Sequence, residues 1–181
     1  MACTQTLTAI SRQCGKVRGG ISKLWVVNQD KVSITVTDGA VTAIALTAVQ
    51  PAPGDGLIEF GFRPGTATVS IAGNADDSGR NMSYTTTATF EFLKQETAKR
   101  VSLQALVETD AYLIYEDMNH KRWLLGYDSP VNSNVNGESG AGVTDANLYT
   151  LVVTDSSLEL PMEISMTDSA FDAILDANLE E

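Results

Sequence analysis

Cysteine and histidine are nearly missing from this chain. Two cysteines, Cys3 and Cys14, and one histidine, His120, occur in 181 residues. Two thiols exclude a disulfide framework, although a single Cys3–Cys14 bridge stays open as a minor alternative. Their spacing, with His120 far away, matches no zinc motif. Nucleophilic catalysis of the Ser–His or Cys–His kind needs a base oriented by an acid. His120 is the sole such base, and Met118-Asn119-His120 reads as a hairpin turn, where a solvated imidazole is expected. Glu116 and Asp117 are neighbours on one strand, so they point to opposite sides. They read as a solvated hairpin end, not as a hydrolytic carboxylate pair. No catalytic set converges, and no enzyme is expected.

Other absences narrow the classes further. No apolar run reaches membrane-spanning length. Met1-Ala2-Cys3-Thr4-Gln5 carries no basic segment followed by an apolar one, so no signal peptide is expected. Cys14-Gly15-Lys16 and Gly19-Gly20 lack the spacing of a phosphate-binding loop. Asn74-x-Asp76-x-Ser78-Gly79 imitates the start of a calcium loop, but its twelfth position is Thr85 where a glutamate is required. No metal and no cofactor are expected. Basic residues stop at Arg122, the last of all twelve, and eleven acids follow it without one cation. The net charge of −11 therefore resides in the last third. Tight nucleic-acid binding needs phosphate-neutralising Lys and Arg, so it is excluded. Repulsion of DNA passing nearby is not.

What the chain does have is β-branched and hydroxyl residues in strict alternation. Residues 65–92 read as one long hairpin. Thr66, Thr68 and Ser70 share a face of the first arm, opposite Ala67, Val69 and Ile71. On the second arm Ser83, Thr85, Thr87, Thr89 and Glu91 oppose Met82, Tyr84, Thr86, Ala88, Phe90 and Phe92. Period two of this kind marks strands with one apolar and one wet face, and Thr suits a solvated strand. Val32–Thr37 and Val41–Thr47 form a second hairpin around Asp38-Gly39, a strong two-residue turn signal.

The remaining expectations are coarser. Residues 1–20 read as an irregular N-terminal arm, Ile21–Val27 as a strand, 48–56 as a Pro/Gly loop and Leu57–Phe62 as a short strand. Lys94–Glu108 is the one long helical window, with Ala98, Val101, Leu103, Ala105 and Leu106 mostly on one side, and Thr97 caps a shorter version. Ala111–Tyr115 and Lys121–Tyr127 form a hairpin, 128–146 a loop, and Leu148–Val153 and Leu158–Ser165 final strands. Ser169–Leu179 fits a short helix within an acidic C-terminal tail, 166–181. Trp25, Trp123, Tyr112 and Tyr115 sit in apolar strands and are expected in the core rather than stacked on a ligand. The whole predicts a single domain over 1–181. Its class is mainly β: an antiparallel sandwich or barrel with one flanking helix and a long hairpin.

Met1-Ala2-Cys3-Thr4, Cys14-Gly15, Gly19-Gly20-Ile21 and the strand ending Val26-Val27-Asn28 have a further meaning together. So do the Val/Thr hairpin at 32–46, the helix after a long hairpin, and Trp123-Leu124-Leu125-Gly126. In this order they resemble tail tube subunits of tailed phages, with a departure in the acidic stretch after Leu160. The resemblance implies a virion protein, made in the host bacterial cytoplasm, that forms stacked homo-oligomeric rings, six-fold in the family, with other tail proteins as partners. It places the hairpin face of Thr66, Thr68, Ser70, Ser83, Thr85, Thr87, Thr89 and Glu91 on a lumen through which DNA passes. Loops 48–56 and 128–146 would touch neighbouring rings, and the helix would cover the outer sheet. The alternatives are another virion part (a capsid decoration or injection-tube protein) and a carbohydrate- or protein-binding β-sandwich.

Overall fold

The computed structural model describes residues 9–10, 16–48, 52–75, 82–142 and 144–175. Cys3 and Cys14 lie outside them, as does the hairpin tip at 76–81. The fold is mainly β, half strand and 13% helix, with antiparallel sheets. Its strands are β1 (Ile21–Asn28), β2 (Val32–Thr37), β3 (Ala40–Leu46), β4 (Ile58–Glu59), β5 (Thr68–Ala75) and β6 (Met82–Leu93). Helix α1 (Thr97–Glu108) follows, then β7 (Ala111–Asp117), β8 (Arg122–Leu125), β9 (Asn132–Glu138), β10 (Leu148–Ser157), β11 (Met162–Glu163) and helix α2 (Asp168–Asp172).

One sheet occupies the middle, in the order β11-β8-β7-β1-β4. Its strands are apolar at successive positions: Leu24, Trp25, Val26 and Val27 are all buried. Such a run requires cover on both faces, and both are covered. Leu24, Val26, Leu113 and Leu125 join an inner cluster with Ala88, Phe90 and Phe92 of β6, Leu151 and Val153 of β10, and Leu103 and Leu106 of α1. Trp25, Val27, Ile114 and Leu124 join an outer cluster with Val32, Val41 and Ile44 of the β2–β3 hairpin and Phe171 and Ile174 of the C-terminal segment. The second large sheet, β5-β6-β10-β9, lies across the inner cluster. Both strand orders run from edge to edge, and neither sheet closes into a barrel among the described residues.

Local chemistry sets the turns. Asp38 (φ 52°) and Gly39 (φ 77°) both adopt left-handed backbone, the geometry of a two-residue hairpin turn. His120 also has positive φ, at 61°, at the β7–β8 turn. Lys94 has φ 64°, so the helix cannot begin there. α1 starts at Thr97, with Glu96 as its N-cap and Lys94 and Lys99 both paired to the Glu96 carboxylate. Thr97 is therefore the first helical residue and caps nothing. Of the expected apolar side, only Leu103 and Leu106 are buried. The helix runs beside β9 against the inner cluster rather than over an outer sheet.

Four other expectations are corrected. Residues 128–146 are not one loop, because β9 lies within them and pairs with β10. Asn and Gly have poor strand propensity, yet an edge strand needs only one partner, and Ser133 and Val135 turn inward at alternate positions. The strand expected over Leu57–Phe62 shrinks to Ile58–Glu59, and that over Leu158–Ser165 to Met162–Glu163, after Pro161. The short helix expected over Ser169–Leu179 is α2, Asp168–Asp172, ending earlier: Phe171 and Ile174 are buried in the outer cluster, and Thr167 caps it by accepting from Ala170 N. The N-terminal arm is pinned where it is described: Arg18 N donates to Asn119 Oδ1 at 3.1 Å, and Asn119 Nδ2 donates to Arg18 O at 3.0 Å.

Candidate functional site

Strand register decides which side chains share a face, because directly paired residues project to the same side. β5 and β6 pair Thr68 with Thr89, Ser70 with Thr87, Ala72 with Thr85 and Asn74 with Ser83. Thr68, Ser70, Ser83, Thr85, Thr87 and Thr89 thus share one face, as the alternation predicts, and Glu91 continues it along β6. Thr66 does not belong. It precedes β5, and its Oγ1 donates to Arg63 O at 2.8 Å, closing a local turn.

The face extends beyond the hairpin. β10 sets Thr150 beside Glu91, Val152 beside Thr89, Thr154 beside Thr87 and Ser156 beside Thr85. β9 adds Asn136, Asn134 and Asn132 beside Thr150, Val152 and Thr154. The result is a four-stranded surface of hydroxyls and amides, knitted in one place by Asn74 Nδ2 donating to Thr85 Oγ1 at 3.1 Å. Its charged members are Glu91 and, at the end of β9, Glu138; no Lys or Arg stands on it among the described residues. The opposite face holds Val69, Ala88, Phe90, Leu151, Val153 and Val135 over the inner cluster. The Asn-x-Asn-x-Asn spacing at 132–136 was the available signal for β9, hidden by its poor strand formers.

The titratable groups assemble differently from expectation. Glu116 is not solvated but 6% exposed. Its Oε1 accepts from Ser22 Oγ at 3.1 Å and lies 3.3 Å from His120 Nδ1, and its Oε2 accepts from Arg122 Nε at 3.2 Å. Arg122 Nη2 reaches Asp168 Oδ1 at 2.9 Å, and its guanidinium lies 4.2 Å over the Phe171 ring. The network clamps α2 to the central sheet. A catalytic triad stands its imidazole between hydroxyl and acid. Here the carboxylate stands between Ser22 and His120, so the arrangement is a brace. The His120 side chain itself is exposed, as expected of a turn.

A cavity of about 490 Å³ opens between β5 and the β7–β8 turn and is lined by Ala67, Val69, Ile71, Tyr115, Trp123 and Asn119. Burial, and secondarily Asp117, pushes the Tyr115 phenol up to about 12, so it stays neutral at ordinary pH. Trp25 and Tyr115 are core residues, whereas Trp123 and Tyr112 are half-buried. Among the described residues no three His, Cys, Asp or Glu side chains gather to hold a metal ion, and no helix is long and apolar enough to cross a membrane. No protein-family model, curated protein or solved structure matches the chain.

Proposed function

We propose that this chain is a structural subunit of a phage tail tube, with the hydroxyl–amide face of β5-β6-β10-β9 turned to the DNA passage. The observation that carries the reading is that face: four strands wide, wet, and without a single cation among the described residues. Polyanions bind where Lys and Arg displace counterions. A wall of hydroxyls and amides, with Ala72 and Val152 among them, gives DNA no fixed cation to hold, and Glu91 and Glu138 repel it. Among the described residues the edges β5 and β9 are each hydrogen-bonded on one side only, and open edges favour pairing with another copy. Six copies joined through these edges would set some 24 strands in a ring. At a tilt of about 40° its backbone diameter is on the order of 50 Å, which leaves a bore that admits a duplex. On this reading the subunit works in the virion tail as stacked rings, beside other tail proteins and without catalysis.

Electron microscopy of the purified chain tests the assembly, and Thr87→Lys tests the face. The expected result is tubes from both proteins, with DNA passage lost in the variant because cations in a bore trap phosphate. Tubes of Thr87→Lys that deliver DNA normally would place the face outside. An unfolded variant would place it in a core.

A binding-module reading is favoured only by the 490 Å³ cavity, with Trp123 and Tyr115 in its lining. Monodisperse monomer that takes up a saccharide, quenching Trp123 fluorescence, would support it over the tube.

A further inference from the structure

One small hollow gathers negative charge with nothing of the opposite sign beside it. It lies where the far end of β10 meets β8 and β11, and Leu124 and Met162 form the apolar part of its wall. Asp128, Asp155 and Glu159 all line it, whereas no Lys, Arg or His does among the described residues. Nor does any of these three acids belong to an ion pair among the described residues. Water and salt screen an exposed acid. Asp155 is 4% exposed, and a carboxylate buried to that degree needs a partner.

Two carboxylates cross the hollow in opposite directions. Asp155 follows Leu151 and Val153 on the inward face of β10. It reaches the chain just after β8, where its Oδ2 accepts from Gly126 N at 3.2 Å. Asp128 reaches back to the chain just after β10, where its Oδ2 accepts from Leu158 N at 3.1 Å. These crossings leave Asp155 Oδ1 buried and without a partner among the described residues.

The two groups act on each other. Burial first, and the Asp128 charge as a smaller cause, hold the Asp155 carboxyl above its ordinary range, against the opposing pull of the Gly126 bond. The free space of the hollow is about 10 Å³, room for one water or one ion. A water would satisfy the orphaned oxygen but leave both negative charges in place. A cation satisfies the oxygen and removes the repulsion together.

We propose that Asp155 and Asp128 bind a single hard divalent cation of the calcium class in this hollow. Calcium takes oxygen ligands only: carboxylates, carbonyls, hydroxyls and water. Two carboxylates supply the charge, Ser157 adds a hydroxyl to the lining, and water completes the shell. No third acid joins them closely enough to form a ligand cluster, so Glu159 contributes field at the rim and the affinity is modest, with Kd about 0.1–1 mM. Ligands from two separate turns form no motif in sequence. The bound ion would tie the turn after β8 to the corner after β10, and the site does not depend on the tube reading.

Thermal unfolding of the full chain at neutral pH, first in EDTA and then in calcium, tests the site. Calcium at about 10 mM, roughly a hundredfold over the tighter Kd, should raise Tm by about 5–10 °C. Asp155→Asn should be the more stable protein in EDTA, where the parent holds an uncompensated buried charge, and should gain almost nothing from calcium. Asp128→Asn should also lose the calcium response. Terbium in place of calcium should luminesce on excitation of Tyr127, which lines the hollow, and Tyr127→Phe should dim that emission while keeping the calcium shift. A chain this acidic also gathers calcium diffusely, so the variants decide. A calcium shift of equal size in the parent, Asp155→Asn and Asp128→Asn overturns the site. No shift in the parent overturns it too, and leaves a water as the occupant. Terbium emission that is unchanged in Tyr127→Phe places the ion elsewhere and overturns it as well.

Discussion

Asp155→Asn should stabilise this protein, and the gain should depend on pH in a defined direction. Asp155 faces inward from β10 and is 4% exposed. Its Oδ2 accepts from Gly126 N at 3.2 Å, while Oδ1 has no partner among the described residues. Burial raises its pKa above the ordinary aspartate value of 3.8; the Gly126 bond opposes this, and Asp128 adds repulsion. A carboxyl whose folded pKa is raised favours folding when protonated. That contribution is complete below about 3.8 and is lost as pH rises through the elevated folded value. Above it the native state carries a buried charge that one amide bond does not compensate. Asparagine keeps the Gly126 bond through its carbonyl and carries no charge at any pH. Relief of a partly compensated buried charge is worth about 1–2 kcal/mol, or roughly 2–8 °C in Tm for a chain of this size. Urea titrations of both proteins from pH 3.5 to 8 measure it. The two midpoints should coincide near pH 3.5 and separate upward, the variant being the more stable. A gap that is constant with pH, or an Asn variant that is weaker at pH 8, would refute the assignment of an ionised, under-solvated Asp155.

Other substitutions read other parts of the fold. Phe90→Ala removes a fully buried ring from the inner cluster and should cost about 3–5 kcal/mol in urea unfolding, whereas Thr87→Ala on the opposite face of the same strand should change stability by no more than about 0.5 kcal/mol. Glu116→Ala takes from the half-buried Arg122 its buried carboxylate partner and leaves it the exposed Asp168; a loss of about 3 kcal/mol is expected, measured against the double variant Glu116→Ala, Arg122→Met, which strands neither charge and should cost less. Gly39→Val places a β-branched residue at φ 77°. It should destabilise the β2–β3 hairpin by at least about 1 kcal/mol, with NMR shift changes confined to residues packed on the outer cluster.

Much of this architecture was legible where alternation and turn chemistry agreed. The hairpins at 32–46 and 111–125 and the split faces of β6 follow from period two and from Asp38-Gly39. The candidate face was read at half its true width. β10 continues past Val153 to Ser157 because β6 offers a long partner, and a sequence window does not show a partner. β9 was missed because Asn132, Asn134 and Asn136 form strands poorly by themselves and acquire order from pairing with β10. Thr66 fitted the alternation but was taken by a local bond to Arg63 O, a competition typical of Thr beside a turn. Glu116 looked solvated because its partners Ser22, His120 and Arg122 are gathered by the fold from two strands and a turn.

One sheet serving two hydrophobic clusters has a consequence for cooperativity. The inner cluster binds β5, β6, β10 and α1 to the central sheet, and the outer cluster binds the β2–β3 hairpin and residues 164–175 to its other side. The outer pieces meet each other through isolated bridges, Val41 with Ile164, while Leu57 meets Leu175. They can therefore detach as a unit while the inner cluster stays intact. Native-state hydrogen exchange should show two tiers: amides of β2, β3 and α2 exchanging through a partial opening, and those of β6, β7 and β10 only through global unfolding. The lower tier lies on the face away from the hydroxyl sheet, so a tube of the kind proposed above, if it turns that sheet to its bore, would have a stiff interior wall and a looser exterior skin.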